Sequence, residues 1–436
     1  MQLLIADSAS SINLAGTAPV RGCTYFPDTP TLTDGAYTDV AESATVVLEG
    51  APADIRTLAN EIERLFDQAA RHANGPEHLR VYIHYSPGAD TVYRSEVLEG
   101  RVVWPTVPGL RRLGGATAVV TLALHWLRRY WWEATTETDA GTVHVLNGDG
   151  IVDELGFWIG PGGPVTYEGS VNLGEGDNAR NAGVWEPVAG VLPTPAHVTV
   201  TNESGGAITL RRALLANDIY AEFNGAEHLI QSGAAVSWTG SSAHTTSRWY
   251  LALSATQIAK AQAAGGVRLL AVMTSVSADI YLRAALIQQT AGPVLTEVWR
   301  GPEALTKSGR VIYDLGYVQF PPQVATFGDL YIQITIYATA TGGATLDFVQ
   351  LCPGSELIVL EGAALSWANG AALEWYGDER YGAMSDYHGT VAASGRLLLQ
   401  PGRTNRLMVL VEGASSVDST AKLALNVKYR PRRATI

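Results

Sequence analysis

The segment GRLLLQPGRTNRLMVLVEG (395–413), followed by AKLALNVKYRPRRATI (421–436), decides how this chain is read. Leu397, Leu399, Leu407, Val409 and Val411 alternate with other side chains, and Leu423, Leu425, Val427 and Tyr429 continue the pattern. Successive strand side chains point to opposite faces, so apolar residues at every second position mark strands with one buried side. A Pro401-Gly402 turn and a polar loop punctuate the segment, which reads as two strands joined as a hairpin and ended by a basic tail. Such an ending is a sheet completing itself.

Working outward, the same logic finds a helix. Pro52 stands in its first turn and Asp54 near its positive end, and Ile55, Leu58, Ala59, Ile62, Leu65, Phe66 and Ala69 recur at steps of three and four. Asn74 and Gly75 end it. The segments LRVYIHYS (79–86), TVYRSEVLEGRVVW (91–104) and AVVTLALHWLRRYWW (118–132) supply a sheet for its apolar face, which makes residues 1–140 an α+β sandwich. From 141 to about 190 glycine rises, and the alternating segments that follow, from VTVTNES to ATLDFVQLCP, argue a β-sandwich of jelly-roll type over 141–352. One short helix, ATQIAKAQAA, interrupts it after Ser254. Residues 353–436 form a last β segment whose closing hairpin completes the first domain. The fold class is mainly β, in several sandwiches with few helices.

Composition excludes whole classes of function. A hydrophobic content of 47% with 17% charged residues describes a chain that folds. A net charge of −12 disfavours a protein that coats nucleic acid. Basic residues cluster locally all the same, at Arg111 with Arg112, at Arg128 with Arg129, and at Lys428, Arg430, Arg432 and Arg433, a pattern suited to complementary contacts between subunits. Of the 30 basic residues four are lysine, and the arginine bias fits bidentate ion pairs. The 2 cysteines, Cys23 and Cys352, are too few for a disulfide framework. MQLLIADSAS lacks the charged start and apolar core of a signal peptide, and no run of 18 apolar residues occurs, so synthesis in the cytosol without a membrane span is expected.

Catalytic patterns are not found: there is no GxSxG, P-loop or HExxH. NGDGIVDE (147–154) has the alternating oxygens of a calcium loop, but aligning Gly150 puts Val145 and Gly156 where acidic ligands belong, so it reads as a polar turn. EWYGDERYGAMSDYHG (374–389) sets carboxylates beside aromatics, as a glycosidase does, yet it reads more simply as an interface loop with aromatic anchors. No cofactor or metal is expected. Trp238, Trp249, Tyr250 and Trp299 could stack on sugar rings, which makes a host surface glycan the alternative partner; packing in a core is the plainer role for strand tryptophans.

YRSEVLEGRV (93–102), the ending RRYWWEA (128–134), LLLQPGRTNRLMVLV and VKYRPRR together resemble distal tail and tail-tip (baseplate) proteins of long-tailed phages. The chain departs from them in carrying Trp131 where a proline before the tryptophan is more usual, and in its large middle region. The resemblance implies a structural virion protein rather than an enzyme. Such a protein forms a homo-oligomeric ring, a hexamer favoured, around the DNA channel and joins the tail tube to tip or hub proteins. It also implies an outward-projecting jelly roll similar to galactose-binding-like modules. Arg128, Arg129, Trp131, Trp132, Arg430, Arg432 and Arg433 are then the candidate subunit contacts.

Overall fold

The computed structural model describes the chain apart from residues 1, 17, 35, 89–91, 106–110, 114–116, 147–150, 153–157, 161–162, 165–181, 186–187, 218–220, 225–236, 241–244, 254, 264–265, 278–279, 290–294, 308–309, 321–328, 339–341, 354–356, 377–380, 385–386, 403–404 and 414–420. It is mainly β, with most of its strands gathered into three units, each with its own core, and a small separate sheet formed by Ile151–Val152, Trp158–Gly160 and Gly163–Pro164.

In the first unit an antiparallel sheet runs in the order Ser11–Asn13, Gln2–Ala6, Val81–Ser86, Tyr93–Val103, Thr117–Arg128, Val40–Gly50 and Val20–Thr24. Even-numbered residues of Thr117–Arg128, from Ala118 to Trp126, are buried and meet the helix Pro52–His72. The helix contributes Ile55, Ala59, Ile62, Leu65, Phe66 and Ala69, the stripe its periodicity demands. Gly100 sets its distance: a Cβ there would lie 2.4 Å from the Phe66 ring, so a larger residue would push the helix off the sheet. The opposite face of the sheet is open, with Ser43, Thr45, Arg101, Thr121 and His125 exposed. Beyond Thr24 the chain leaves the sheet for a small hairpin, Leu32–Thr33 paired with Ala36–Tyr37, and returns at Val40.

The second unit is a curled sheet running Thr138–Leu146, Lys422–Tyr429, Thr194–Asn202, Ala372–Tyr376, Tyr381–Met384, Tyr387–Gly395, Leu357–Trp367, Ile208–Asn217, Asn405–Glu412 and Ala182–Trp185. Its two end strands approach each other, and the Trp185 indole N–H donates to Gly141 O at 3.3 Å across the gap. The enclosed core holds Val143, Val198, Leu215, Trp367, Leu373 and Trp375, with Leu407, Val409, Leu423 and Leu425 of the closing segment.

The third unit is inserted between Asn217 and Leu357. Ala221–Asn224 and Ser237–Gly240 pair with Gly342–Pro353, Thr245–Ala252 with Asp329–Ala338, Val267–Val276 with Ile312–Val318, and Ile280–Gln289 with Leu295–Leu305. Counting the two short strands as one interrupted strand, first pairs with last, second with seventh, third with sixth and fourth with fifth. That is the folding of a long hairpin into a jelly roll. Both sheets share one apolar core, which Ile258 and Ala261 of the helix Ala255–Ala263 also enter.

Two expectations change. The jelly roll spans 221–353 rather than 141–352, and strands on either side of it, 138–217 and 357–429, form a sandwich of their own. The closing strands Asn405–Glu412 and Lys422–Tyr429 exist, but they do not pair with each other. The first lies between Ile208–Asn217 and Ala182–Trp185, the second between Thr138–Leu146 and Thr194–Asn202. A period of two fixes which face is buried and says nothing about which strand lies alongside. Only Arg432–Arg433 rejoins the first unit, paired with Trp132–Ala134.

Candidate functional site at the junction of the first two units

The chain passes between the first two units twice, along 135–137 and at 430–431, and these passages run side by side. Strand register places three charged residues in a row, with Glu133 opposite Arg94 on one side and opposite Arg432 on the other. Side chains directly opposite in antiparallel strands lie within reach of one another, so the register dictates an Arg–Glu–Arg ladder. Glu133 accepts from Arg94 at 3.0 Å through Oε1 and from Arg432 at 2.9 Å through Oε2.

Outer members extend the ladder. Arg94 reaches Glu77 at 2.7 Å, and Arg430 stands 3.5 Å from Glu77 and 3.1 Å from Glu137. Glu137 also meets His197 Nδ1 at 3.3 Å. Backbone bonds hold the same ground: Val191 N–H donates to Arg432 O at 2.8 Å, and Thr194 Oγ1 donates to Arg430 O at 2.6 Å. Opposite charges alternate along the whole row, so no member is left with a like-charged neighbour alone. Burial would raise the Glu77 pKa, but the charges of Arg94 and Arg430 overcome it and hold the group below its ordinary range. For His84, on the strand beside Arg94, burial and then the Arg94 charge act together and push the pKa down to about 4.

The candidate contact residues are placed inside this chain. Arg128 is fully buried, donates to Glu42 at 2.7 Å and to Asp28 O at 2.9 Å, and lies 4.3 Å above the Trp132 ring. Arg129 bridges Asp39 at 3.0 Å and Glu96 at 3.3 Å. Trp131 is buried beneath the Arg432 guanidinium, 3.8 Å from its ring centre, and Trp132 is wholly enclosed. Arg430 and Arg432 belong to the ladder. Arg433 is exposed, 5.5 Å from the Tyr93 ring. Residues with no accessible surface cannot touch a neighbouring subunit. Arg128 and Trp132 are therefore corrected from subunit contacts to intramolecular ties. Trp131 and Arg432 are nearly enclosed as well, stacked on each other, with Arg432 also bonded to Glu133. The missed partners are the acids Glu77, Glu133 and Glu137, and their signal in the sequence was an acid at the start or end of each segment facing the arginines.

The cavity enclosed by the ladder measures about 30 Å³, with Glu77, Arg94, Glu133, His197, Arg430 and Arg432 in its wall. That is room for roughly one water. The arrangement holds two units together, and beside it a larger cleft of about 450 Å³ is bounded by Glu77, Tyr82, His84, Arg94, Glu137 and Arg430.

The four aromatics proposed for sugar stacking lie on three jelly-roll strands. Trp238 lies in the strand Ser237–Gly240 of one jelly-roll sheet, while Trp249 and Tyr250 lie in an end strand of the other. Trp299 is half-buried in that second sheet's opposite end strand, roughly 14 Å away at about 4.8 Å per strand. The side chains of Trp238, Trp249 and Tyr250 lie outside the described residues, as do Asp149 of the calcium-like segment and Asp378, Glu379 and Asp386 of the acidic one. Among the described residues no three His, Cys, Asp or Glu side chains gather to hold a metal ion. No described helix is long and apolar enough to cross a membrane. No family model matches the chain, and no curated protein is significantly similar to it.

Proposed function

We propose that this chain is a structural subunit of a phage tail, forming a ring at the distal tail or tail tip and connecting tube to tip or baseplate. The observation that carries the reading is a convergence. YRSEVLEGRV, RRYWWEA and VKYRPRR are three of the four segments on which the resemblance rests; Arg94 and Arg432 stand 338 positions apart in sequence, yet Arg94, Glu133 and Arg432 join in one ladder, while the fourth segment, LLLQPGRTNRLMVLV, lies in the second unit. Segments spread over the chain and closed into one junction are what a single building unit requires, whereas unrelated matches have no reason to meet.

The architecture supports the same role. The α+β unit, with its helix on one side and an open sheet on the other, serves as the ring-forming body. The curled sandwich and the jelly roll, added in series beyond the junction, project from it. Assembly would take place in the host cytoplasm.

Mass photometry and negative-stain imaging of the purified protein test this directly. Closed rings, alone or on addition of tail extract, are the expected result. A chain that stays monomeric at micromolar concentration in both conditions sinks the reading.

A further inference from the structure

Resting on the ring reading, we infer that the hairpin Thr31–Thr38 is an arm that seats on the next copy of this chain, at the end of its open sheet marked by Val103 and Trp104. The hairpin pairs Leu32 with Tyr37 and Thr33 with Ala36, and Thr38 N–H closes it on Thr31 O at 3.0 Å. Every described residue from Thr31 to Thr38 is exposed. Leu32 is 60% and Tyr37 38% accessible, and Phe26 at the foot of the arm is 77% accessible.

So short a two-stranded ribbon is marginal in water by itself. Its base is nevertheless firmly set. Pro30 is buried, Asp28 N–H donates to Glu42 at 2.9 Å, and Asp39 holds Arg129 at 3.0 Å. Tyr37 stacks on Tyr130 of its own chain, ring centres 5.6 Å apart, which leaves Leu32 at the tip and Phe26 at the foot as the apolar contact surface open to a partner.

The rest of the first unit names the partner. Among its described residues the large exposed apolar side chains fall in two places: Phe26, Leu32 and Tyr37 on the arm, and Val103 with Trp104 at the end of Tyr93–Val103. The arm rejoins the sheet at Val40, opposite Arg128, whereas Val103 stands opposite Ala123. Five residues of strand, about 17 Å at roughly 3.4 Å each, separate the two levels.

Charge distinguishes the two ends as well. Phe26 to Asp39 carries Asp28, Asp34 and Asp39 with no lysine or arginine. The receiving end has exposed Arg101, and Arg111 and Arg112 in a strand registered against Val119 and Ala118. An acidic apolar donor and a basic apolar acceptor are different patches on one molecule, so the contact runs head to tail, and repetition with a closing rotation gives a ring.

The test mixes two single variants, Leu32→Cys and Trp104→Cys, under mild oxidation, with the unaltered chain as the background for Cys23 and Cys352. The expected product is a disulfide dimer in the mixture and in neither variant alone, and a chain carrying both changes should give a covalent ladder ending at the ring. Leu32→Asp should raise the concentration for half-assembly roughly tenfold or more, with an unchanged melting temperature because the side chain is exposed. If rings form but the mixture does not cross-link, or if Leu32→Cys links to itself, the arm assignment is overturned and the ring reading stands. An unaltered chain that never oligomerises overturns both.

Discussion

At one end the central sandwich meets charge: Glu77, Glu133 and Glu137 interleave with Arg94, Arg430 and Arg432 around a cavity for one water. At the other end it meets hydrocarbon. Leu214, Ala216, Met408 and Leu410 on its outer face pack against Leu270, Val272, Val311 and Ile312 of the jelly roll, together with Cys352 and Leu357. A single carboxylate is enclosed there. Glu412 accepts from Arg212 at 2.7 Å and from the Val311 and Ile312 N–H groups at 2.5 and 3.0 Å. The two junctions thus teach different lessons about strength. An apolar seam draws on area removed from water and is nearly indifferent to salt, whereas a ladder of partly accessible ions gains little net energy yet fixes register closely.

The largest effect should come from breaking the apolar seam at its buried carboxylate. Glu412→Ala takes the carboxylate from Arg212, which keeps its bond to Ile312 O, and leaves the Val311 and Ile312 N–H groups without that acceptor in a buried site, at a cost of about 3 kcal/mol. Denaturant unfolding followed by exchange at 312–318 should show the jelly roll released first; a loss under about 1 kcal/mol would mean water reaches the site. Acid should act on the other junction. His84, ordinarily near 6.5 and held down to about 4, leaves the unfolded chain binding a proton that the native state refuses, so stability present above pH 6.5 declines as the pH falls toward 4. Glu77, also held below its ordinary range, adds a loss that continues below pH 4.5. Exchange at 429–436 should therefore rise between pH 6.5 and 4 while exchange at 405–412 stays flat, and His84→Gln should remove the upper part of the rise. The smallest effect belongs to Arg430→Ala, whose side chain is 20% accessible. A loss of at most about 1 kcal/mol, shrinking in high salt, is expected from thermal unfolding at 0.05 and 1 M salt.

The contrast also bears on what could be read in advance. The seam residues Met408 and Leu410 were invisible as such, because Leu407, Val409 and Val411 already satisfied the alternating pattern and left the intervening positions as a presumed outer face. In fact Asn405–Glu412 is buried on both sides, one toward the sandwich core and one toward the jelly roll. Arg430 and Arg432 were visible as charges, but their partners Glu77 and Glu133 stand 353 and 299 positions away in the chain. Charge without distance reads equally well as a surface for another subunit.

The amino-acid sequence by itself determined the main helix and the principal strands, and one buried face of each. These follow from local geometry, the 3.6-residue and two-residue repeats of the backbone. A jelly roll in the middle of the chain was also legible as a run of closely spaced strands, though not its bounds, since 194–202 and 208–217 belong to the second unit. Tertiary structure alone decided that the two closing strands part company, that the chain threads out and back through one charged junction, and that its arginines serve that junction. Strand partnership and ion pairing depend on which distant segments share a core, and a repeat pattern holds no record of that.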